Sequence, residues 1–423
     1  MKKDRVWIEH LRLRGYRSCV SASLKLKPDL TVLIGPNGSG KTNVLQGTLF
    51  LRRFRRGQRG SASSKARPSR SLVQATFRVG KYPIPYRAWV YYVTNDGNQD
   101  QVQSVRETWN LKALTGDDRW MSFPSRGYSD EFTIQYRSSL ISKLGRTSSS
   151  GHLRRIYDLE QQGPFFFVPK KARPAFSAIA EYRSRISYYS ASQFTNPSRC
   201  PSSFEIDENG DLREVSLERN EHLRFVYDLY RLSVSDDHAY KQYLSIVGRG
   251  GIGLVEKFTW RQIKVSSSTI EVTSGGKVVK ERRERLLIIP NVYIKRSHLS
   301  FNQLSEGTFK TLALLFYLVT DKSGLLLIEE PEVCVHHGLL TSVIEIIKSF
   351  SAEKQILCST HSDFVLDSLE PEQVLTVRNE GKAGTTIRSI SESVSRKKYQ
   401  ALKEYLRTAG NLGEYWRAAG FEE

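Results

Sequence analysis

The octapeptide Gly35-Pro36-Asn37-Gly38-Ser39-Gly40-Lys41-Thr42 constrains this chain more than any other feature. It follows the apolar run LTVLI (30–34) and precedes NVLQGTLFL, whose apolar positions have helical spacing. Strand, glycine-rich loop and helix, in that order, is the G-x4-G-K-[ST] phosphate loop in the context its chemistry requires. Glycines let backbone N–H groups curl around phosphate oxygens, and the start of the helix adds its dipole. Lys41 is placed to reach the β- and γ-phosphates and the Thr42 hydroxyl to ligate Mg2+, with Asn43 counted among the nucleotide-binding residues. ATP and Mg2+ are the expected ligands, and α/β is the expected fold class.

Three further segments extend this reading. LLLIEEPE (325–332) puts Glu329 and Glu330 at the C-terminal end of an apolar strand, the end where open α/β sheets bind ligands. Adjacent acids directly after four aliphatics are costly to bury without a partner, and Mg2+ is the obvious one. Glu329 would hold the ion, and Glu330 would polarise the attacking water. LSEGT (304–308) precedes a long apolar helix. By itself it reads as a helix N-cap with Ser305 as the cap. Its place 21 residues before the LLLI run favours a second anion site, with Ser305 and Gly307 presenting a hydroxyl and backbone N–H groups. One ATP does not need two cradles, so a dimer is expected in which this loop covers the other subunit's nucleotide. STHSD (359–363) puts His361 at the end of the next strand, where an imidazole can hydrogen-bond a γ-phosphate and sense its loss. The other histidines are read as structural.

Composition narrows the setting. The 423 residues carry 64 Lys+Arg against 44 Asp+Glu, a net charge of +20, and are 39% hydrophobic. That is enough apolar material for real cores. Four widely separated cysteines form neither a disulfide scaffold nor a metal motif, and a reducing cytosol fits them best. The basic N-terminus lacks the apolar core of a signal peptide, and no apolar run reaches the roughly 20 residues of a membrane helix. A cytoplasmic location without membrane association is expected. Between Arg52 and Arg70, eight basic residues and no acid mark a nucleic-acid contact or, at roughly even odds, a solvated loop.

The expected organisation is a split head with an insertion. Residues 1–110 form the N-terminal lobe with the phosphate loop, and 111–250 an insertion with a small helical subdomain. Residues 251–391 form the C-terminal lobe, and 392–423 a charged helical tail ending near Trp416. Within the insertion, 220–232 and 236–247 are read as helices and ISYYSASQF (186–194) as a strand running into a turn. KFTWRQIKV, STIEVTSGGKVVKE and LLIIPNVYI are read as a small antiparallel sheet with S-G-G as a turn, and N-D-G (95–97) as a hairpin turn.

The order Walker A, LSEGT, LLLIEEPE, STHSD resembles ABC-type ATPase heads. The forms HLRLRGYRSC…LTVLIGPNGSGKTNVLQ, the fused EEPE, the terse LSEGT and QILCSTHSDFVLD resemble the RecF, SMC and OLD-family ATPases. The resemblance covers residues 1–50 and 298–378. It implies a RecA-like mixed sheet flanked by helices, an antiparallel β subdomain and a helical insertion. It assigns Lys41 and Thr42 to Walker A, and Ser305 and Gly307 to the signature that acts on the neighbouring subunit's ATP. Glu329 becomes the Walker B acid, Glu330 the catalytic base and His361 the switch histidine. A Q-loop glutamine touching the metal is assigned to Gln193, with Gln74 as the alternative. OLD-family nucleases continue into a Toprim domain, whereas only 62 residues follow His361 here and they hold no DxD. The absence of a four-heptad run between 51 and 297 argues against a full SMC protein with extended arms.

The resemblance therefore implies a stand-alone ATPase, similar to the ATP-binding subunits of bacterial anti-phage systems. It would form a homodimer or higher oligomer and act with a separate effector nuclease or toxin, and with nucleic acid at 52–70. A RecF-like repair ATPase is the alternative. A transporter nucleotide-binding subunit or a low-turnover scaffold comes after it.

Overall fold

The computed structural model describes residues 5–52, 68–94, 100–116, 118, 120–124, 169–207, 210–212, 220–235, 238–272, 278–333, 335–408 and 410–419. Most of the basic run at 52–70, the N-D-G turn and the S-G-G turn lie outside the described residues. The chain divides into two compact units. One is Met1–Tyr188 with Lys322–Ile328 and Ser351–Glu423, and the other is Tyr189–Asp321 with Glu329–Phe350.

The first unit holds two sheets. The antiparallel one runs β2-β1-β4-β5-β6-β7, built from β1 (Val6–Tyr16), β2 (Cys19–Lys25), β4 (Ser69–Val79), β5 (Tyr82–Thr94), β6 (Asp100–Asn110) and β7 (Trp120–Pro124). Its strands alternate cleanly: Val73, Ala75, Phe77 and Val79 are buried, while Gln74, Thr76 and Arg78 face outward. That is the pattern of a sheet with one face on the core and one in water.

The second sheet runs β16-β15-β3-β14-β13-β8. It comprises β3 (Leu30–Ile34), β8 (Ile186–Ser190), β13 (Leu325–Glu329), β14 (Gln355–Thr360), β15 (Val374–Asn379) and β16 (Thr385–Ser389). β3 pairs in parallel with both β14 and β15. Every residue of β3, β13 and β14 is buried, as expected for strands covered on both faces.

Helix α1 (Lys41–Thr48) packs against β1, β2 and β14. It approaches β1 closely because Gly47 stands there: a Cβ would lie 2.7 Å from the Leu13 side chain. Helix α2 (Arg173–Ser184) covers β1 and β4. Gln355 ties these pieces together. Its Oε1 accepts from Ile8 N (2.9 Å) and Tyr182 Oη (2.6 Å), and its Nε2 donates to Ile8 O (2.9 Å) and Lys27 O (2.7 Å). A buried amide with this many partners carries no desolvation penalty and fixes register.

The second unit is held by aromatic packing. Helices α3 (Glu221–Val234), α4 (His238–Val247) and α5 (Glu306–Thr320) bring Phe225, Tyr243, Phe309 and Phe316 together with Phe194 and Phe301. His222 joins this core, with Nε2 3.0 Å from Thr195 O, and burial pushes its pKa down. β9 (Phe204–Ile206), β10 (Lys257–Val272), β11 (Val278–Ile294) and β12 (Ser297–Leu299) form a four-stranded sheet. Helix α6 (His337–Ser351) completes the unit.

Several expectations are corrected. KFTWRQIKV and STIEV are one strand of 16 residues, and VVKE and LLIIPNVYI one of 17. The serines between the apolar patches hide the continuity; the pairing across β10 and β11 restores it. The tail is two helices, α7 (Arg396–Thr408) and α8 (Leu412–Ala419), rather than one. Gly410 lies between them, with its N–H donating to Tyr405 O. β8, inside the expected insertion, is an edge strand of the second sheet, because ISYYS is apolar enough to extend it.

Candidate nucleotide-binding site

The phosphate loop is shaped from both sides. Gly38 has φ 78° and Gly40 φ 103°, conformations that cost a side-chain-bearing residue about 1–2 kcal/mol. Space forbids a Cβ at Gly40 as well, since one would sit 2.0 Å from Thr385 Oγ1 and 2.7 Å from Ser18 Oγ. Lys41 is 5% exposed and donates to the carbonyls of Gly35 (2.8 Å) and Pro36 (3.1 Å), closing the loop on itself. Ser39 Oγ is buried and, among the described residues, has no hydrogen-bond partner. An orphaned hydroxyl in a loop of turned-in backbone is what an incoming phosphate oxygen would satisfy, so the residues fit ATP.

Sequence reasoning missed the layer behind this loop. The Thr385 hydroxyl donates to Ser39 O at 3.1 Å and lies 2.7 Å from Ser18 Oγ, and Thr385 N donates to Ser18 O at 2.8 Å. Asn43 Nδ2 donates to the same Ser18 Oγ at 2.7 Å, so the Asn43 side chain braces the β1–β2 turn. Cys19 lies in this layer, and burial pushes its thiol up to about 11, which keeps it unreactive. Thr385 stands more than 300 residues from the loop, and nothing local in the sequence marks it.

His361 is brought to the same end of the sheet. Thr360, the last residue of β14, pairs with Ile34, the last of β3, in parallel register. Gly35 and His361 therefore leave adjacent strands side by side, with the imidazole exposed. Helix α8 secures the turn that follows. The Arg417 guanidinium lies 3.5 Å from the Asp363 carboxylate and 3.1 Å from that of Asp367, and stacks over Phe364.

Apart from Gln74, the remaining candidates belong to the second unit. β13 ends at Glu329, which is 9% exposed. Glu330 follows with φ 48°, a left-handed conformation that is strained for any residue but glycine. Ser305 is the N-cap of α5: its Oγ accepts from Thr308 N at 3.2 Å, and the residue is exposed. Gly307 lies in the first turn of that helix, and Glu306 pairs with the buried Lys310 at 2.6 Å. Gln193 is exposed on the short turn Ala191–Phe194. Gln74, the alternative, lies mid-strand in β4, paired with Arg12 and Arg87. Among the described residues, no group of three or more His, Cys, Asp or Glu side chains is arranged to hold a metal ion.

This loop, its strand order and its flanking helices define a P-loop ATPase head of the RecF/SMC-like, ABC type. The chain belongs to the family described as "AAA domain, putative AbiEii toxin, Type IV TA system", whose profile matches residues 30–367. It is similar to the DNA replication and repair protein RecF of Paenarthrobacter aurescens (strain TC1), 46% identical over 46 residues, which is 11% of this chain and 12% of that one. RecF of Corynebacterium jeikeium (strain K411) is 41% identical over 46 residues, 11% of each chain. The chain thus spans about an eighth or less of the curated relatives it matches. Among solved structures, an SMC head bound to the C-winged helix domain of ScpA has a TM-score of 0.42 at 15% identity, covering 93% of this chain and 99% of that one. The SMC head domain from Thermotoga maritima has a TM-score of 0.40 at 12% identity, covering 90% and 98%.

Proposed function

We propose that this chain binds and hydrolyses ATP and uses the nucleotide to gate self-association, as a sensor or regulator in anti-phage defence acting with a separate nuclease or toxin. The observation that carries the ATP reading is the buried, unpartnered Ser39 hydroxyl inside a loop closed by Lys41. Lys41, Ser39 and the loop backbone would hold the phosphates and the Thr42 hydroxyl would ligate Mg2+, while Glu329 would serve as the Walker B acid by its position in the motif order. The metal, when bound, neutralises phosphate charge. Glu330 orients and deprotonates water, and His361 reads the terminal phosphate from the neighbouring strand end.

The exposed N-terminus of α5, with Ser305 and Gly307, supports engagement of a nucleotide on a second copy. The family's description as a toxin of a toxin–antitoxin system supports the effector-linked role. The 46-residue likeness to RecF supports a second reading, a repair ATPase with the same chemistry. The run at 52–70 supports a nucleic-acid ligand in both. Among the described residues, no helix is long and apolar enough to cross a membrane.

The test is Glu330→Gln. With ATP it should lose phosphate release and run at twice the monomer mass in light scattering, while wild type cycles. Unchanged phosphate release would refute the role of Glu330. Pull-downs from the native host with and without a non-hydrolysable ATP analogue should recover an effector if the defence reading holds, and replication or repair proteins if the second does.

A further inference from the structure

The outward face of the antiparallel sheet is a lattice of arginines and aromatics. Pairing in register sets out its rows. Arg12, Gln74, Arg87 and Thr108 lie side by side across β1, β4, β5 and β6. The next row is Arg14, Leu72, Trp89 and Arg106. Beyond it, Arg70 stands opposite Tyr91. Neighbouring positions are roughly 5 Å apart across strands and about 7 Å along them, so these side chains form one continuous surface. Arg12, Arg14, Arg70, Arg87 and Arg106 are all exposed.

Two features point to a ligand. The first is uncompensated charge. Among the described residues, none of these five arginines forms an ion pair with a carboxylate, and Glu9 and Asp100 at the margins are already engaged, Glu9 by Arg78 at 2.7 Å and Asp100 by Arg17 at 3.2 Å. Five like charges on one sheet face repel one another, an arrangement that a bound polyanion relieves. The second is stacking. The Arg70 guanidinium lies 3.6 Å from the Trp89 ring centre, and that of Arg87 lies 4.4 Å from the Trp120 ring centre. Trp120 is 40% exposed, unusual for so large an apolar group. Flat guanidinium and indole surfaces on an open sheet suit unpaired bases, whereas a duplex keeps its base faces hidden.

We propose that this sheet face binds single-stranded DNA, the arginines contacting phosphates and the Trp89 and Trp120 stacks receiving bases. Charge and flat rings read the two features every DNA strand offers and call on no 2′-hydroxyl. The proposal deepens the nucleic-acid part of the reading above and rests on that part alone, not on ATP turnover. It places the contact on the sheet, to whose exposed arginines the run at 52–70 contributes only Arg70.

The test uses the full chain and fluorescein-labelled 20-mers: oligo-dT, oligo-U and a mixed-sequence duplex, titrated by anisotropy at several salt concentrations. Oligo-dT should bind best. The triple variant Arg14→Gln, Arg87→Gln, Arg106→Gln should weaken it more than tenfold and make the log–log salt slope shallower by about 2, at about 0.7 per lost phosphate contact. Trp89→Leu should weaken it about tenfold with the salt slope unchanged. Binding of a fluorescent ATP analogue checks the fold of each variant and should not change. Wild-type affinity and slope in the triple variant would overturn the proposal, as would duplex binding equal to oligo-dT or a tenfold preference for oligo-U. Loss of ATP binding in the wild type with oligo-dT binding intact would sink the ATPase reading and leave this one standing.

Discussion

Arg183 donates to the Glu107 carboxylate at 2.5 Å and, through Nε, to the Leu51 carbonyl at 2.6 Å. One buried guanidinium thereby joins α2 to the antiparallel sheet and to the chain just past the phosphate-loop helix. Tyr86 completes the group, donating to Glu107 at 3.0 Å and accepting from Arg183 at 3.1 Å. Burial pushes the Glu107 carboxyl up, but the Arg183 charge and hydrogen bonds outweigh it and hold the pKa below the ordinary carboxylate value.

Glu107→Ala should cost about 3–5 kcal/mol in urea unfolding, because it strands a buried guanidinium. The double variant Arg183→Met, Glu107→Leu should recover most of that loss. Since the folded pKa of Glu107 is depressed, its contribution is fully present above the unfolded value of about 4.3 and is lost as pH falls through the folded value. Acid unfolding below about pH 4.3 should therefore be less steep in Glu107→Gln than in wild type.

Gly40→Ala should lose ATP binding and cost at least about 2 kcal/mol of stability, since it meets both the positive φ and the Thr385 hydroxyl. Pairing it with Thr385→Ala removes the clash but not the φ penalty, so calorimetry should show partial recovery.

Ser305 separates capping from chemistry. Ser305→Ala should cost about 1 kcal/mol as a lost N-cap. Ser305→Asn keeps a cap and should restore stability to within a few tenths of that scale. If the hydroxyl acts on a partner's nucleotide, Asn should still lose phosphate release in a steady-state assay. Normal turnover in Asn would reduce Ser305 to a cap.

Glu330 combines strain with a proposed catalytic role. Glu330→Gly should raise stability by about 1 kcal/mol, because glycine adopts φ 48° without penalty, while phosphate release disappears. A destabilised Gly variant would show that the side chain's contacts outweigh the strain.

The phosphate loop, the acidic strand end and the histidine strand end were legible because each is local. A few consecutive residues carry both the secondary-structure period and the chemistry. The continuity of the β10–β11 ribbon was harder, because serines interrupt it, and β8, read as a strand, gave no sign of the sheet it joins. The layer behind the loop was not legible at all, since Thr385, Ser18 and Asn43 meet only through pairing across the chain.

The sequence by itself therefore determined that this is a P-loop α/β chain. It also determined where the glycine loop between strand and helix lies, because consecutive residues carry both the turn and the flanking periods. Only tertiary structure decided that Thr385 backs Gly40, that Arg183 locks the helix end to Glu107, and that arginines from β1, β4, β5 and β6 share one face. Those relations depend on strand order and register, which join residues tens to hundreds of positions apart and leave no periodic mark in either segment alone.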